Sequence, residues 1–228
     1  MPVTIETMRL ILRPFEPTDA EAAFEWFGDP AVMRFTPTGP DASIGQTRRR
    51  LAQFAAHQRA HGFSKWLVIE RSSGRLIGDS GLLNLQEWGW IDLGYRLAQP
   101  YWGKGLATEA AQAWVRAAFD EFRLDRLGAF VHPKNAASIR VLEKLGFHTE
   151  RRDTIMGMDS IVFSLDAGRT QALQDSGPAS PDALVVFPNG DAKNKTSAPA
   201  SPERSQMASD CPAGTTPRPP PRPDPRPP

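Results

Sequence analysis

The chain holds one cysteine, and no apolar run approaches the length of a membrane span. That cysteine, Cys211, is isolated near the end, which excludes an internal disulfide framework and any multi-cysteine metal site. Net charge is nearly absent, 27 Lys+Arg against 26 Asp+Glu, and no basic stripe with interleaved aromatics suggests nucleic acid as a partner. Met1-Pro2-Val3-Thr4-Ile5-Glu6 lacks the basic then apolar layout of a signal peptide. A soluble, cytoplasmic protein without membrane association is therefore expected. What is present, 228 residues with 40% hydrophobic content, suffices for one core plus an appendage.

Apolar periodicity predicts a strand over Met8–Arg13, with Leu10 and Leu12 on one face, ended by Pro14. Thr18 or Asp19 caps a helix with the stripe Ala22, Ala23, Trp26 and Phe27, and Gly28-Asp29-Pro30 stops it. A loop with buried anchors follows, because Pro37, Gly39 and Pro40 forbid a long element. A second helix runs from Ser43 to His61 and closes on Gly62. Its His57 and His61 lack a carboxylate or third ligand nearby in the pattern, so they read as a solvated helix face, and no metal is expected.

Lys65–Arg71, Arg75–Leu85 and Trp90–Leu97 read as an antiparallel meander, the first strand apolar on both faces. A helix to about Phe122, a strand at Leu127–Val131, a helix at Asn135–Leu145 and strands at Phe147–Arg152 and Ser160–Leu165 complete the pattern. Strand, helix, strand implies a right-handed crossover that lays the strand at Leu127 parallel to the one at Trp90. The folded domain is expected over residues 7–167. Residues 168–228 are expected to be a disordered, Pro-rich tail, since 14 of the 22 prolines lie beyond residue 168. The tail serves either as a spacer or as a proline-rich ligand for a partner module.

The organising stretch is Tyr101-Trp102-Gly103-Lys104-Gly105-Leu106-Ala107-Thr108-Glu109-Ala110, set between a strand and a helix. Glycines there either close a tight turn or aim N–H groups, with the helix dipole, at phosphate oxygens. A nucleotide-binding P-loop or dinucleotide fingerprint is disfavoured, because G-x-G-x-x-G and Gly-Lys-Ser/Thr are both missing.

Three motifs agree with the phosphate reading. They are Asp29-Pro30-Ala31-Val32-Met33-Arg34-Phe35; Asp92-Leu93-Gly94-Tyr95-Arg96-Leu97 running into the glycine turn; and Val131 to Phe147, which includes His132-Pro133-Lys134-Asn135-Ala136-Ala137-Ser138. In these and in element order, the chain from about Thr7 to Ala167 resembles the GNAT (GCN5-related N-acetyltransferase) superfamily, in its branch similar to the ribosomal-protein serine and alanine N-acetyltransferases. The superfamily's loop reads Q/R-x-x-G-x-G/A; Trp102 stands where Gln or Arg is usual, while Gly105 and Ala107 match.

The resemblance implies an α/β (α+β) fold: a mixed, mostly antiparallel sheet of six to seven strands, flanked by about four helices and splayed between the fourth and fifth strands. Acetyl-CoA would lie in that splay. Backbone near Tyr95, Arg96 and Leu97 would pair with pantetheine, and Gly103, Lys104, Gly105, Leu106, Ala107 and Thr108 would hold the pyrophosphate. An N–H from Leu93 to Tyr95, where Gly94 permits a bulge, would polarise the thioester.

Asn135 caps the next helix or contacts the pantetheine arm, and Ser138 hydrogen bonds the departing thiolate or merely solvates the helix start. Asp92 stands where relatives often carry Glu, as the base for the amine or as a charge neutralised by Arg96. Tyr101 reads as packing. The activity implied is transfer of acetyl from acetyl-CoA to a primary amine, a protein N-terminus or a small molecule, by direct attack in a ternary complex of a monomer or homodimer. The alternative is a non-catalytic acyl-CoA sensor or scaffold.

Overall fold

A computed structural model describes residues 4–168 and the backbone of 184–186. Nine strands form one sheet among these residues, in the order β7-β8-β6-β5-β4-β3-β2-β1-β9. They are β1 (Thr4–Glu6), β2 (Leu10–Arg13), β3 (Lys65–Glu70), β4 (Leu76–Leu85), β5 (Trp90–Leu97), β6 (Arg126–Val131), β7 (His148–Ile155), β8 (Met158–Asp166) and β9 (Leu184–Val186). Only β5 and β6 pair in parallel, as the crossover requires. The helices are α1 (Ala20–Phe27), α2 (Pro30–Met33), α3 (Ile44–His61), α4 (Leu106–Arg116), which continues as a π turn over Ala117–Glu121, and α5 (Ala136–Lys144).

Two apolar layers cover the sheet. On one face α4 and α5 pack on Leu10, Leu12, Trp66, Val68, Leu82, Leu93 and Leu97, with Trp66 edge-on to Trp114 at 4.8 Å. On the other, α1 and α3 bury Phe15, Trp26, Phe27, Met33, Leu51 and Phe54 against Leu67. The continuous apolar run in β3 therefore does serve both faces.

The sheet has more strands than the six to seven expected, for local reasons. Thr7 Oγ1 accepts from Leu10 N–H at 3.0 Å, so the chain bends at Thr7 and Met8, and Thr4–Glu6 pairs back on β2 as a separate strand. The backbone of Leu184–Val186 adds a further antiparallel strand to β1; the rest of the expected Pro-rich tail lies outside the described residues. Asp29 accepts from Ala31 N–H at 2.8 Å and Pro30 opens the turn, which makes α2 a short helix inside the expected loop.

The β7–β8 connection is also tighter than the expected strands Phe147–Arg152 and Ser160–Leu165 implied, a turn of Met156 and Gly157 with φ of 51° and 78°. His57 is not on a solvated face: Nδ1 meets the Phe63 carbonyl at 2.8 Å and Nε2 accepts from Asn84 N–H at 2.9 Å, tying α3 to β3 and β4.

That arrangement needs neutral His57, and burial, followed by the neighbouring His61 and Lys65 charges, lowers its pKa below the ordinary value. A lowered folded pKa means that the unfolded chain binds the proton first, so this contribution is complete above the ordinary histidine pKa and is lost as pH falls. Thermal melts of wild type and His57→Gln should therefore differ most near pH 7.5 and converge toward pH 5.

Gly128, the sole parallel partner of β5, leaves no room for a side chain, because a Cβ there would lie 2.4 Å from Trp90 Cδ1. Gly128→Ala should lower unfolding stability by about 1–3 kcal/mol, measured by urea titration.

Candidate active site

The parallel contact between β5 and β6 is a single pair, Asp92 with Gly128, after which the strands separate. β5 continues to Leu97 on β4 alone, and β6 to Val131 on β8. The ladder decides which β5 groups face the gap. Ala98 N–H donates to the Ile77 carbonyl at 2.9 Å, which makes Leu97 and Gly78 a non-hydrogen-bonded pair. By alternation, backbone groups of Arg96 and Gly94 turn to β4, while those of Tyr95 and Leu97 turn to the gap. The Leu97 carbonyl is occupied by Trp102 Nε1 at 2.6 Å, leaving the Tyr95 N–H and C=O and the Leu97 N–H as the edge a ligand can use.

The glycine turn continues this edge. Gly103 and Gly105 have φ of 73° and 77°, the left-handed region that glycine enters without strain, and Gly105 is the N-cap of α4. Among the described residues the N–H groups of Gly103 to Thr108 donate to no protein acceptor. Six unpartnered donors at a helix start form an anion receptor.

A bracket that the sequence did not reveal holds the turn. Glu109, in the first turn of α4, accepts from Thr7 Oγ1 (2.6 Å), Arg9 N–H (2.8 Å) and Arg9 Nε (2.6 Å), while Arg9 Nη1 donates to the Lys104 carbonyl at 2.9 Å. Burial pulls Glu109 upward, but these donors together hold it below the usual carboxylate pKa. Lys104 Nζ lies over the Tyr101 ring, 5.2 Å from its centre. An open cavity of about 370 Å³ beside the turn is lined by Met8, Arg9, Glu70, Arg71, Lys104 and Leu106.

On the α4/α5 side of the gap, Asn135 Oδ1 accepts from Ser138 N–H at 3.2 Å, so Asn135 does cap α5. Tyr95 Oη donates to the Ser138 carbonyl at 3.1 Å, bringing the first turn of α5 to β5; burial raises the Tyr95 phenol pKa and keeps it protonated. Ser138 is half-buried there.

On the α1/α3 side stand the charges. Arg96 grips Asp79 through Nε at 2.9 Å and Nη2 at 2.7 Å. Asp79, fully buried, also accepts from Trp26 Nε1. Arg96 is thus engaged with β4 by side chain and backbone, and it does not neutralise Asp92 by direct pairing. The buried cation beside Asp92 is Lys65, with Nζ 3.9 Å from Asp92 Oδ2 and 2.8 Å from the Gly81 carbonyl.

No bulge interrupts β5 at Gly94; its register with β4 is unbroken. Gly94 instead makes room for Lys65, because a Cβ there would lie 2.5 Å from Nζ. Burial raises Asp92 to about 6, opposed by Lys65, and lowers Lys65 to about 8, opposed by Asp92. Asp92 Oδ1 and Trp90 Nε1 are buried without a hydrogen-bond partner.

Over the mouth of the gap, Asp29 accepts from Gln99 Nε2 at 2.6 Å and Phe35 stacks on His132 at 5.1 Å. The segment after α1 is thereby pinned to the ends of both β5 and β6. Changing Gly105 to Ala tests the turn by strain alone, since the nearest atom to a Cβ there, Arg9 Nη2, is 3.6 Å away. A non-glycine residue in the left-handed region costs about 1–2 kcal/mol; the exposed free turn relieves that cost by relaxing and must repay it to present its N–H groups, so CoA binding by calorimetry should weaken about tenfold with melting little changed.

Comparison with known proteins adds an independent line. The acetyltransferase (GNAT) domain family matches residues 9–148. The uncharacterized N-acetyltransferase YoaA of Bacillus subtilis is 36% identical over 148 residues, 64% of this chain and 83% of the relative. The uncharacterized N-acetyltransferase p20 of Bacillus licheniformis is 32% identical over 151 residues, 64% of this chain and 83% of the relative.

Among solved structures, a GNAT-family acetyltransferase from Bacillus anthracis superposes with a TM-score of 0.64 at 27% identity, covering 72% of this chain and 99% of that one. The ribosomal-protein-S5-alanine acetyltransferase of Vibrio fischeri shares the fold, with a TM-score of 0.62 at 23% identity over 72% of this chain and 97% of that one. With the splayed strands, the unpartnered glycine turn and this family match, the chain belongs to the GNAT acetyltransferases and is an acyltransferase.

Proposed function

We propose that the protein transfers acetyl from acetyl-CoA to a primary amine by direct attack within a ternary complex. The observation carrying this reading is the continuous line of unused backbone groups from Tyr95 and Leu97 to the six N–H donors of Gly103 to Thr108. Pantetheine amides would extend β5 along Tyr95 and Leu97, and the pyrophosphate would rest on the turn, each charge-assisted hydrogen bond contributing about 1.5–3 kcal/mol. Lys104, whose ammonium lies over the Tyr101 ring, adds a positive charge beside these amides. Arg96 supports the strand from behind, through Asp79, instead of meeting the cofactor. The family implies acetyl-CoA as the acyl donor, and no metal enters the scheme.

The two sides of the gap take different parts of the reaction. Ser138, on the α4/α5 side, receives the departing thiolate, and the Asn135 amide, whose oxygen caps α5, offers its NH₂ to the pantetheine arm. Asp92, on the α1/α3 side, takes the proton of the amine. At pH 7.5 about a third of an α-amine is neutral, against about 0.1% of a lysine side chain, so an α-amine acceptor needs the least help. The segment from Gly28 to Gly45, held across the mouth, would guide that acceptor in, and the short β7–β8 turn leaves the far end open to a peptide terminus. The acyl-CoA sensor reading shares the glycine turn but assigns no work to Asp92 or Ser138.

A mass-spectrometric screen with peptide N-termini, lysine peptides and polyamines, paired with thiol release, tests the proposal. Acetylated peptide N-termini are the expected product. Tight CoA binding with no thiol above background from any amine would identify the sensor instead. Ser138→Ala should lower kcat about tenfold or more with little change in acetyl-CoA KM, because a partner for the thiolate acts mainly in the transition state.

A further inference from the structure

Lys65 is a lysine where burial costs most, 4% exposed in the middle of the sheet. It lies on β3, directly opposite Gly81 of β4, which lies opposite Gly94 of β5. Its side chain therefore crosses two strands, and it can do so because Gly94 has no Cβ to meet Nζ. The ammonium ends 2.8 Å from the Gly81 carbonyl and 3.9 Å from Asp92 Oδ2.

Asp92 is held at the vertex where β5 leaves β6. One oxygen faces Lys65, and the other, Oδ1, is buried with no hydrogen-bond partner. An apolar pair would be the cheaper way to fill this space, so the charges call for another explanation. The remaining charges around the Lys65–Asp92 pair are Arg96 on β5 and Asp79 on β4, which are bonded to each other. Tyr95 on β5 is held protonated, and the Phe130 N–H of β6 and the Trp90 indole N–H favour the ionised carboxylate, though neither makes a hydrogen bond to Oδ1.

We propose that Lys65 is a positioning residue for acetyl transfer: its ammonium, lodged in the space Gly94 leaves, keeps Asp92 ionised so that Oδ1 can accept the proton of the acceptor amine. The inference rests on the acetyltransferase reading above. In the step itself the amine lone pair forms the C–N bond and the C–S bond breaks, its electron pair leaving on sulfur. One nitrogen proton passes through water to Asp92 Oδ1, the thiolate takes a proton from solvent, and Asp92 later returns its own. Lys65 touches none of the reacting atoms and acts through Asp92 alone.

The test pairs a titration with a rate profile. The Asp92 carboxyl carbon, assigned by its loss in Asp92→Asn, is followed by ¹³C NMR against pH in wild type and Lys65→Met without substrate, and kcat/KM against pH is measured for both. Lys65→Met is expected to shift the Asp92 titration and the acid limb of the profile upward by about one pH unit or more. Activity at pH 7 then falls by about twofold for a one-unit shift and about tenfold for a two-unit shift, and recovers by pH 9, which damage to the fold would not produce. Lys65→Met/Asp92→Asn should be no slower than Asp92→Asn.

If Lys65→Met does not fold, Gly94→Ala, which displaces the ammonium while keeping its charge, should move both curves the same way by less. An unmoved titration overturns the proposal while leaving the acetyltransferase reading standing, and so does a moved titration with an unmoved profile. Wild-type enzyme releasing no thiol with any amine overturns that reading and this proposal together, and the NMR arm still reports whether Lys65 and Asp92 are coupled.

Discussion

The structure depends on a sheet that is left incomplete at its centre. β5 and β6 meet at Asp92 and Gly128 and then part, so backbone that an ordinary sheet would pair is left facing a gap. Unpaired backbone groups kept from water are costly, and edge strands invite any segment that can complete them. A chain that keeps such an edge inside its sheet is built to receive something strand-like. The turn after β5 tells what comes with it: its six unused N–H donors and the start of α4 suit an anion at the end of that strand.

Holding the gap open falls to the two faces in different ways. On the α4/α5 face the means are apolar packing and one polar strut, Tyr95 to the Ser138 carbonyl. On the α1/α3 face the sheet carries buried charges beside its aromatic cluster. Arg96 reaches Asp79 and also lies 4.9 Å from the Phe27 ring centre, and Arg50, paired with Asp41, lies 4.9 Å from that same ring. Pairs of this kind are weak evidence for stability, but they fix side-chain geometry on the α1/α3 face, where an undirected apolar layer would not.

Much of this was legible in the sequence. The strand and helix order, the cap at Asn135 and the glycine turn all rest on interactions between residues near in sequence, which leave a periodic or spaced signature. What escaped depends on contacts across the sheet. Glu109 and Arg9 are a hundred residues apart and meet because β2 and the start of α4 share one end of the sheet. Lys65 looked like the first residue of an apolar strand, and only the register shows Gly81 and Gly94 clearing its path to Asp92. Gly94 was read as a place for a bulge when its function is to be small; a sequence gives no way to tell a glycine needed for its dihedrals from one needed for its missing Cβ. His57 was misjudged in the same way, because its partners at Phe63 and Asn84 lie off the helix.

The placement of Asp92 joins these threads. Its β5 neighbours Leu93 and Tyr95 face the α4/α5 layer, while its own side chain faces the α1/α3 side, an alternation that follows from the two-residue period of a strand. Under the proposed function one strand would offer backbone to the donor and a carboxylate to the acceptor, with no moving part. The last paired residue before the splay is the place where a side chain is both anchored by the sheet and next to the opening. Its burial, its unpartnered oxygen and its lysine neighbour go with its place where the sheet stops pairing.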